Sequence, residues 1–341
     1  MRRQLAAGIA AFGLFLAVSH AAEEAPVQEL ETFVVSGEQP GPGLWKVSKD
    51  GHVMWILAAL APLPRDMIWR TKDIEARIAE SQEVLYSGNV NIGANVSIWK
   101  GITLIPAAMN ASKIPEGRTL KDVLPAEAYQ KWLALRLKYI GKDDDVERLR
   151  PSLALEQLRA KAAQKSKLGG GPNVYAIVGD LRKKHKVPMT RLPQVSRTVR
   201  VENPRGMLKT ASKIDLPDLD CFIRGMDEVE PQMERTRETA YAWARGDTER
   251  LRALNQGPPP EEAIKKVCAY SLMAALTEGT SKDSAHAKRT LDDMFWHAEQ
   301  ASVQSELDWI AAAQESLAKN TSTFAVLSVG DMFRTGKYID K

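Results

Sequence analysis

The chain has 341 residues, 44% of them hydrophobic and 26% charged, with a formal net charge of +4. That length can bury a large core, as one large domain or two smaller ones. A charge so near neutral argues against a nucleic-acid partner, and losing Arg2 and Arg3 with a cleaved leader takes +4 to +2.

Residues 1–21 read as a signal peptide. Arg2 and Arg3 form a positive start, residues 5–18 are apolar, and Ser19-His20-Ala21 ends in a small residue suited to cleavage before Ala22. The apolar run is shorter than the ~20 residues that span a bilayer. No later stretch is long and apolar enough to span one. The expectation is a periplasmic protein with no membrane span after signal cleavage. Residues 22–42 are acidic and then Pro/Gly-rich, a flexible leader in which 31–36 read either as an edge strand or as disordered chain. Residues 43–341 are expected to form a single domain with a helical middle section, about 120–320.

The stretch 44–85 organises that domain. Two apolar runs, 44–47 and 53–59, flank Lys49-Asp50-Gly51, and Asp-Gly between such runs predicts a hairpin. The second run is apolar on both faces, as a central strand would be. Pro62 and Pro64 cannot donate to a ladder and mark a loop. A helix follows over about 71–81, with Ile74 and Ile78 on one face. Val84-Leu85-Tyr86 reads as the next strand. A loop leaving a central strand is where α/β proteins place ligands.

Residues 89–115 are apolar but broken by Gly93, Gly101 and Pro106, and read as a lid or a short strand pair. A helix is predicted over 120–139, kinked at Pro125, with Trp132, Leu133, Leu135 and Leu137 inward. Asp143-Asp144-Asp145 lacks the alternating spacing of a calcium loop and reads as a helix cap region. Gly169-Gly170-Gly171 has no following Gly-Lys-Ser/Thr and reads as a joint between helices over 151–165 and 174–186. A strand is predicted over 189–192. Residues 215–254 are mostly helical, with Gly246-Asp247 read as a C-cap glycine and an N-cap aspartate. Three more helices, over 261–276, 282–300 and 303–319, precede a strand over 323–327. The expected fold class is α/β, a mixed central β-sheet flanked by many helices. Cys221 and Cys268 read either as a disulfide or as two buried free thiols.

Several of these runs resemble the TraB/GumN family, which includes the Tiki proteins. Pro42-Gly43-Leu44-Trp45, the Trp55–Leu57 strand and Trp69 match its opening. Tyr241-Ala242-Trp243-Ala244-Arg245-Gly246-Asp247 is similar to its aromatic and Gly-Asp turn, and Trp309 and 323–327 match its end. The polar signature departs. Ala58-Ala59-Leu60-Ala61 stands where the family has Gly-Thr-any-His. A family glutamate falls near Ser87. Leu192-Pro193-Gln194 replaces Leu-Glu-Thr, Gln304-Ser305-Glu306 replaces Glu-Arg-Asn, and Ser328-Val329-Gly330-Asp331 replaces Gly-any-any-His.

The resemblance implies a metal-dependent hydrolase, linked in the Tiki proteins to peptide cleavage, with imidazoles and carboxylates holding an ion that activates water. Here one ligand-type residue, Asp331, stands at the four positions compared, and a lone carboxylate does not hold a catalytic metal. His52, His185, His286 and His297 match no motif, and no Gly-any-Ser-any-Gly or His-Glu-any-any-His occurs. The expectation is a degenerate protein without metal or cofactor. It would bind a peptide, an envelope polymer or a protein partner through the ancestral cleft. The motif positions are Ala58, Ala61, Ser328 and Asp331, and the candidate binding residues are Trp69, Arg70, Asp331 and Arg334. The alternatives are a metal-dependent hydrolase with a rebuilt site and a structural partner that assembles through its apolar mid-region. Ala58–Pro62 and Ser328–Asp331 are expected side by side, facing one cleft, with Asp331 either paired to Arg334 or Arg70 or facing water.

Overall fold

The computed structural model describes residues 37–257 and 260–333. The expected signal peptide, the segment 31–36 and Arg334 lie outside them. The elements below all belong to one unit, Glu38–Lys341. Its packed chain begins ahead of the hairpin. Gln39 is buried, bonding Ile68 O through its N–H at 2.8 Å and accepting from Arg70 N at 2.9 Å, while Gly41 N donates to Ala244 O at 2.8 Å.

The hairpin pairs β1 (Leu44–Lys49) with β2 (His52–Ala59), Leu44 opposite Leu57 and Lys49 opposite His52. Asp50 and Gly51 take φ of 51° and 85°, the left-handed pair that a two-residue hairpin turn demands. Helix α1 (Lys72–Glu80) buries Ile74 and Ile78 and leads to β3 (Val84–Tyr86). The segment 89–115 becomes β4 (Val90–Ala94) and a 14-residue helix, α2 (Ile98–Ala111).

What reads as one kinked helix over 120–139 is two, α3 (Leu120–Val123) and α4 (Ala126–Tyr139). Leu124, ahead of Pro125, is pushed into the extended region, which ends the first. Then come α5 (Pro151–Lys165), α6 (Val174–Lys184), β5 (Met189–Arg191), β6 (Val195–Val199) and α7 (Pro204–Ala211). The stretch 215–254 holds α8 (Leu219–Asp227), α9 (Val229–Ala244) and α10 (Thr248–Leu254). Gly246, at φ 71°, ends α9, and the Asp247 carboxylate caps α10 through Arg250 N at 2.9 Å, the capping role read from sequence.

Helix α11 (Pro260–Thr277) precedes α12 (Lys282–Lys319). The two helices expected over 282–319 are therefore one, 38 residues and about 57 Å long. Ala301 and Ser302 contain no breaker, so nothing stops the helix there. The chain then enters β7 (Ser322–Ser328) and the short α13 (Val329–Phe333).

The main sheet has the order β1-β2-β7-β3-β5, with β1 antiparallel and the rest parallel. The last strand thus lies in the middle, between β2 and β3. Its Phe324, Ala325, Val326 and Leu327 are wholly buried, as a strand covered on both faces requires. The fold is the expected helix-rich α/β one. A second core lies among α4, α5, α8 and α9, where Trp132 packs on Phe222 with ring centroids 5.4 Å apart. Cys221 on α8 and Cys268 on α11 are free, buried thiols. Burial, and then the adjoining Cys221 thiol, push the Cys268 thiol up to about 12.

Candidate functional site

Because β2, β7, β3 and β5 run parallel, their C-terminal ends meet at one edge of the sheet. Ala59 stands opposite Ser328 there, and Tyr86 opposite both Val326 and Arg191. The β3 and β5 pairing then breaks. After Ser87–Asn89 on one side and Leu192–Gln194 on the other, the same two chains pair again as β4 and β6, starting with Val195 N donating to Asn89 O at 2.9 Å. The break opens a cleft of about 630 Å³ beside α6.

Tyr86, Ser87, Tyr175, Arg182, Lys183, Arg191 and Gln194 are among its lining residues; no carboxylate among the described residues lines it, though Asp180 pairs with Lys183 at 3.3 Å. The Tyr86 and Tyr175 rings lie 6.4 Å apart, tilted by 32°. Burial pushes both phenols above their ordinary value. Arg182 and Arg191 pull the Tyr86 phenol back, while the nearby Asp331 charge pushes that of Tyr175 further up. Both hydroxyls are therefore protonated donors at neutral pH. Arg182 gives one N–H to Val187 O at 3.3 Å, and its buried Nε has no partner. The cleft offers cations and donors at the strand ends, arranged for a negative ligand.

The motif positions divide between two places. Ala58 and Ala59 are buried, and the Ala58 carbonyl accepts the indole N–H of Trp243 at 2.6 Å. Ala61 turns with Pro62 toward α9, where a separate hollow of about 190 Å³ lies against Thr236 and Thr239. Asp331 instead stands near Tyr175. The two strand ends do lie side by side, Ala59 opposite Ser328, but Ala61 lines that hollow and Asp331 does not, because the chain leaves β2 toward α9 and leaves β7 into α13. Ser328 closes that turn. Its hydroxyl accepts from Asp331 N at 3.0 Å and donates to the Asp331 carboxylate at 2.7 Å, a reciprocal helix cap. Asp331 is therefore engaged by its own helix, and among the described residues no ion pair joins it to Arg70.

Trp69, expected at a binding surface, is a core residue. It is buried and meets Trp243 edge-on at 5.1 Å. Arg70 is exposed, with its N–H committed to Gln39. The histidines take other work: His52 bonds Leu317 O at 2.6 Å, His185 meets Glu75 at 2.8 Å and His286 contacts Glu202. Among the described residues no group of three His, Cys, Asp or Glu could hold a metal ion.

A family model for the TraB/PrgY/gumN family matches residues 43–341. The chain belongs to this family. No curated protein and no solved structure matches it. In this TraB/PrgY/gumN chain the cleft-lining Tyr86, Tyr175, Arg182 and Arg191 escape sequence reasoning because Tyr86 on β3 stands about a hundred residues from the α6 and β5 residues it meets. The available signal is electrostatic: residues 187–201 contain Arg191, Arg197 and Arg200 and no acid.

Proposed function

We propose that this protein is a periplasmic, catalytically degenerate member of the TraB/PrgY/gumN family that binds a carboxylate-bearing peptide, envelope polymer or protein segment in the cleft between β3, β5 and α6. The observation that carries this reading is the lining, Arg182, Arg191 and two protonated tyrosines together with Lys183, which Asp180 pairs at 3.3 Å. A divalent ion would meet like charge there. A carboxylate would meet guanidinium forks, which bind it bidentately, and phenolic donors. Ala58 and Ala61 carry no ligand atom, and Asp331 is spent on capping α13. The signal-like residues 1–21 support export.

The test is titration of the purified protein with oligo-glutamate and oligo-lysine peptides. Oligo-glutamate should bind and weaken with salt, and Lys183→Glu/Arg191→Glu should lower its affinity at least about tenfold. Equal binding by that variant, or a preference for oligo-lysine, would sink the binding role. A stoichiometric divalent ion lost in Asp331→Ala together with peptidase activity would restore the hydrolase. Mass spectrometry of the exported chain should show it starting near Ala22, and an intact Met1 on a cytoplasmic protein would refute export.

A further inference from the structure

Helix α2 is built inside out. Ile98, Ile102, Ile105 and Met109 follow helical spacing along one face, and every one of them is exposed. Trp99 beside them is 80% exposed. The half-buried face holds the smaller residues Gly101, Ala107 and Ala111 with Leu104. No residue of the helix is buried. That half-buried face meets α7, and polar bonds to the helix backbone add to it. Arg205 on α7 donates to Thr103 O at 3.2 Å, and Arg150 donates to Ala111 O at 2.9 Å. The exposed Ile98, Trp99, Ile102, Ile105 and Met109 side chains are therefore left over from packing the fold.

We infer that α2 docks flat on an anionic lipid surface, its Ile, Met and Trp side chains entering the headgroup boundary. The charge around it chooses this occupant. Residues 84–115 contain no Asp or Glu, and 195–214 contain only Glu202. That one acid is taken by Arg289 at 3.1 Å and by His286. Lys100 and Lys113 stand on and just after α2, and Arg200, Lys209 and Lys213 stand on or near the adjoining α7, all exposed. An apolar helical face with a tryptophan and flanking lysines is the pattern of an interfacial helix, drawn to negative headgroups by its cations. A second copy of this chain fits poorly. A two-fold contact through α2 would set these cations against themselves.

The test uses vesicles of phosphatidylglycerol brominated on its acyl chains, with brominated phosphatidylcholine as the neutral control. Bromine quenches an indole only at short range, so the signal reports the depth of Trp99 and not merely attachment of the chain by some other segment. The expected result is quenching by the anionic vesicles that disappears in Trp99→Phe. Ile102→Ser/Ile105→Ser and Lys100→Glu/Lys209→Glu should each lower vesicle affinity more than about tenfold. Both pairs are exposed, so both variants should keep the circular dichroism and melting of the parent. No Trp99-dependent quenching, equal quenching by neutral vesicles, or a dimer in sedimentation that the Ile pair dissolves would each overturn the inference, the last in favour of a second copy.

Discussion

Two helices of similar length carry large apolar residues to opposite ends. Helix α9 sends Trp243 into the sheet core, 1% exposed, with its N–H on the Ala58 carbonyl and its ring edge-on to Trp69. Helix α2 sends Trp99 into solvent, 80% exposed. Trp243 belongs to the buried apolar cluster of the sheet and its N–H is satisfied, so burial accounts for it. Around Trp99 the chain is acid-free and the helix is anchored by backbone bonds to arginines. Apolar surface that folding does not use is surface left for a partner. Identical residue types thus report fold in one region and interaction in the other.

The sharpest way to break this contrast is to truncate both indoles. Trp243→Ala should cost about 3–5 kcal/mol, because it empties a filled site and removes the indole bond to the Ala58 carbonyl. Trp99→Ala should stay within about 0.5 kcal/mol, as exposed substitutions do. Urea unfolding reads both. A loss at Trp99 comparable to that at Trp243 would show the outer face of α2 to be covered within the chain.

Much of the sheet region was legible because its signals are local. Asp50-Gly51 dictates a tight turn, residues 53–59 and 323–327 are apolar throughout, and Gly246-Asp247 caps two helices within two positions. The α2 region was not, since Gly93, Gly101 and Pro106 look like breakers, and its apolar residues meet nothing that a periodicity could predict. The cleft was half legible. Sequence pointed to the edge where the strands end, yet centred it on Ala61 and Asp331. The opening itself depends on where the β3 and β5 ladder breaks, a pairing between residues about a hundred apart.

A smaller effect should follow at the clamp that joins α2 to the rest. Arg150 is 3% exposed, and it donates to Ala111 O at the end of α2, to Ala211 O at the end of α7 and to Ile214 O just beyond it, at 2.9, 2.5 and 2.9 Å. Burial lowers its guanidinium below the usual value, with the nearby Asp218 and Asp215 charges partly restoring it. Arg150→Met should cost about 2–3 kcal/mol through carbonyls left unpaired. Hydrogen exchange should localise the loss, with α2 and α7 amides losing protection while β2 and β7 keep theirs. Uniform loss across the sheet would mean that the two regions are one cooperative unit and would remove the contrast.

The smallest effect belongs to Glu202, which ties the segment before α7 to α12 through Arg289 and His286. Those two hydrogen-bonded partners hold its carboxyl below the ordinary value of 4.5. A carboxyl lowered on folding stabilises fully above its unfolded value and loses that contribution as pH falls through the lowered one. Exchange protection of the α7 amides in the parent should therefore exceed that of Glu202→Gln at neutral pH and converge with it as pH drops below 4.5. The difference should stay within about fivefold and shrink with salt, because the group is solvent-exposed and screened. The amides of β2 and β7, which touch neither residue, should show no difference at any pH. Asn203 holds the same junction by a bond to Asp283 at 2.8 Å, so the variant keeps its fold and the measurement reads the ion pair alone. A gap that persists below the titration would assign the contribution of Glu202 to the hydrogen bonds its side chain makes with Arg289 and His286 rather than to its charge.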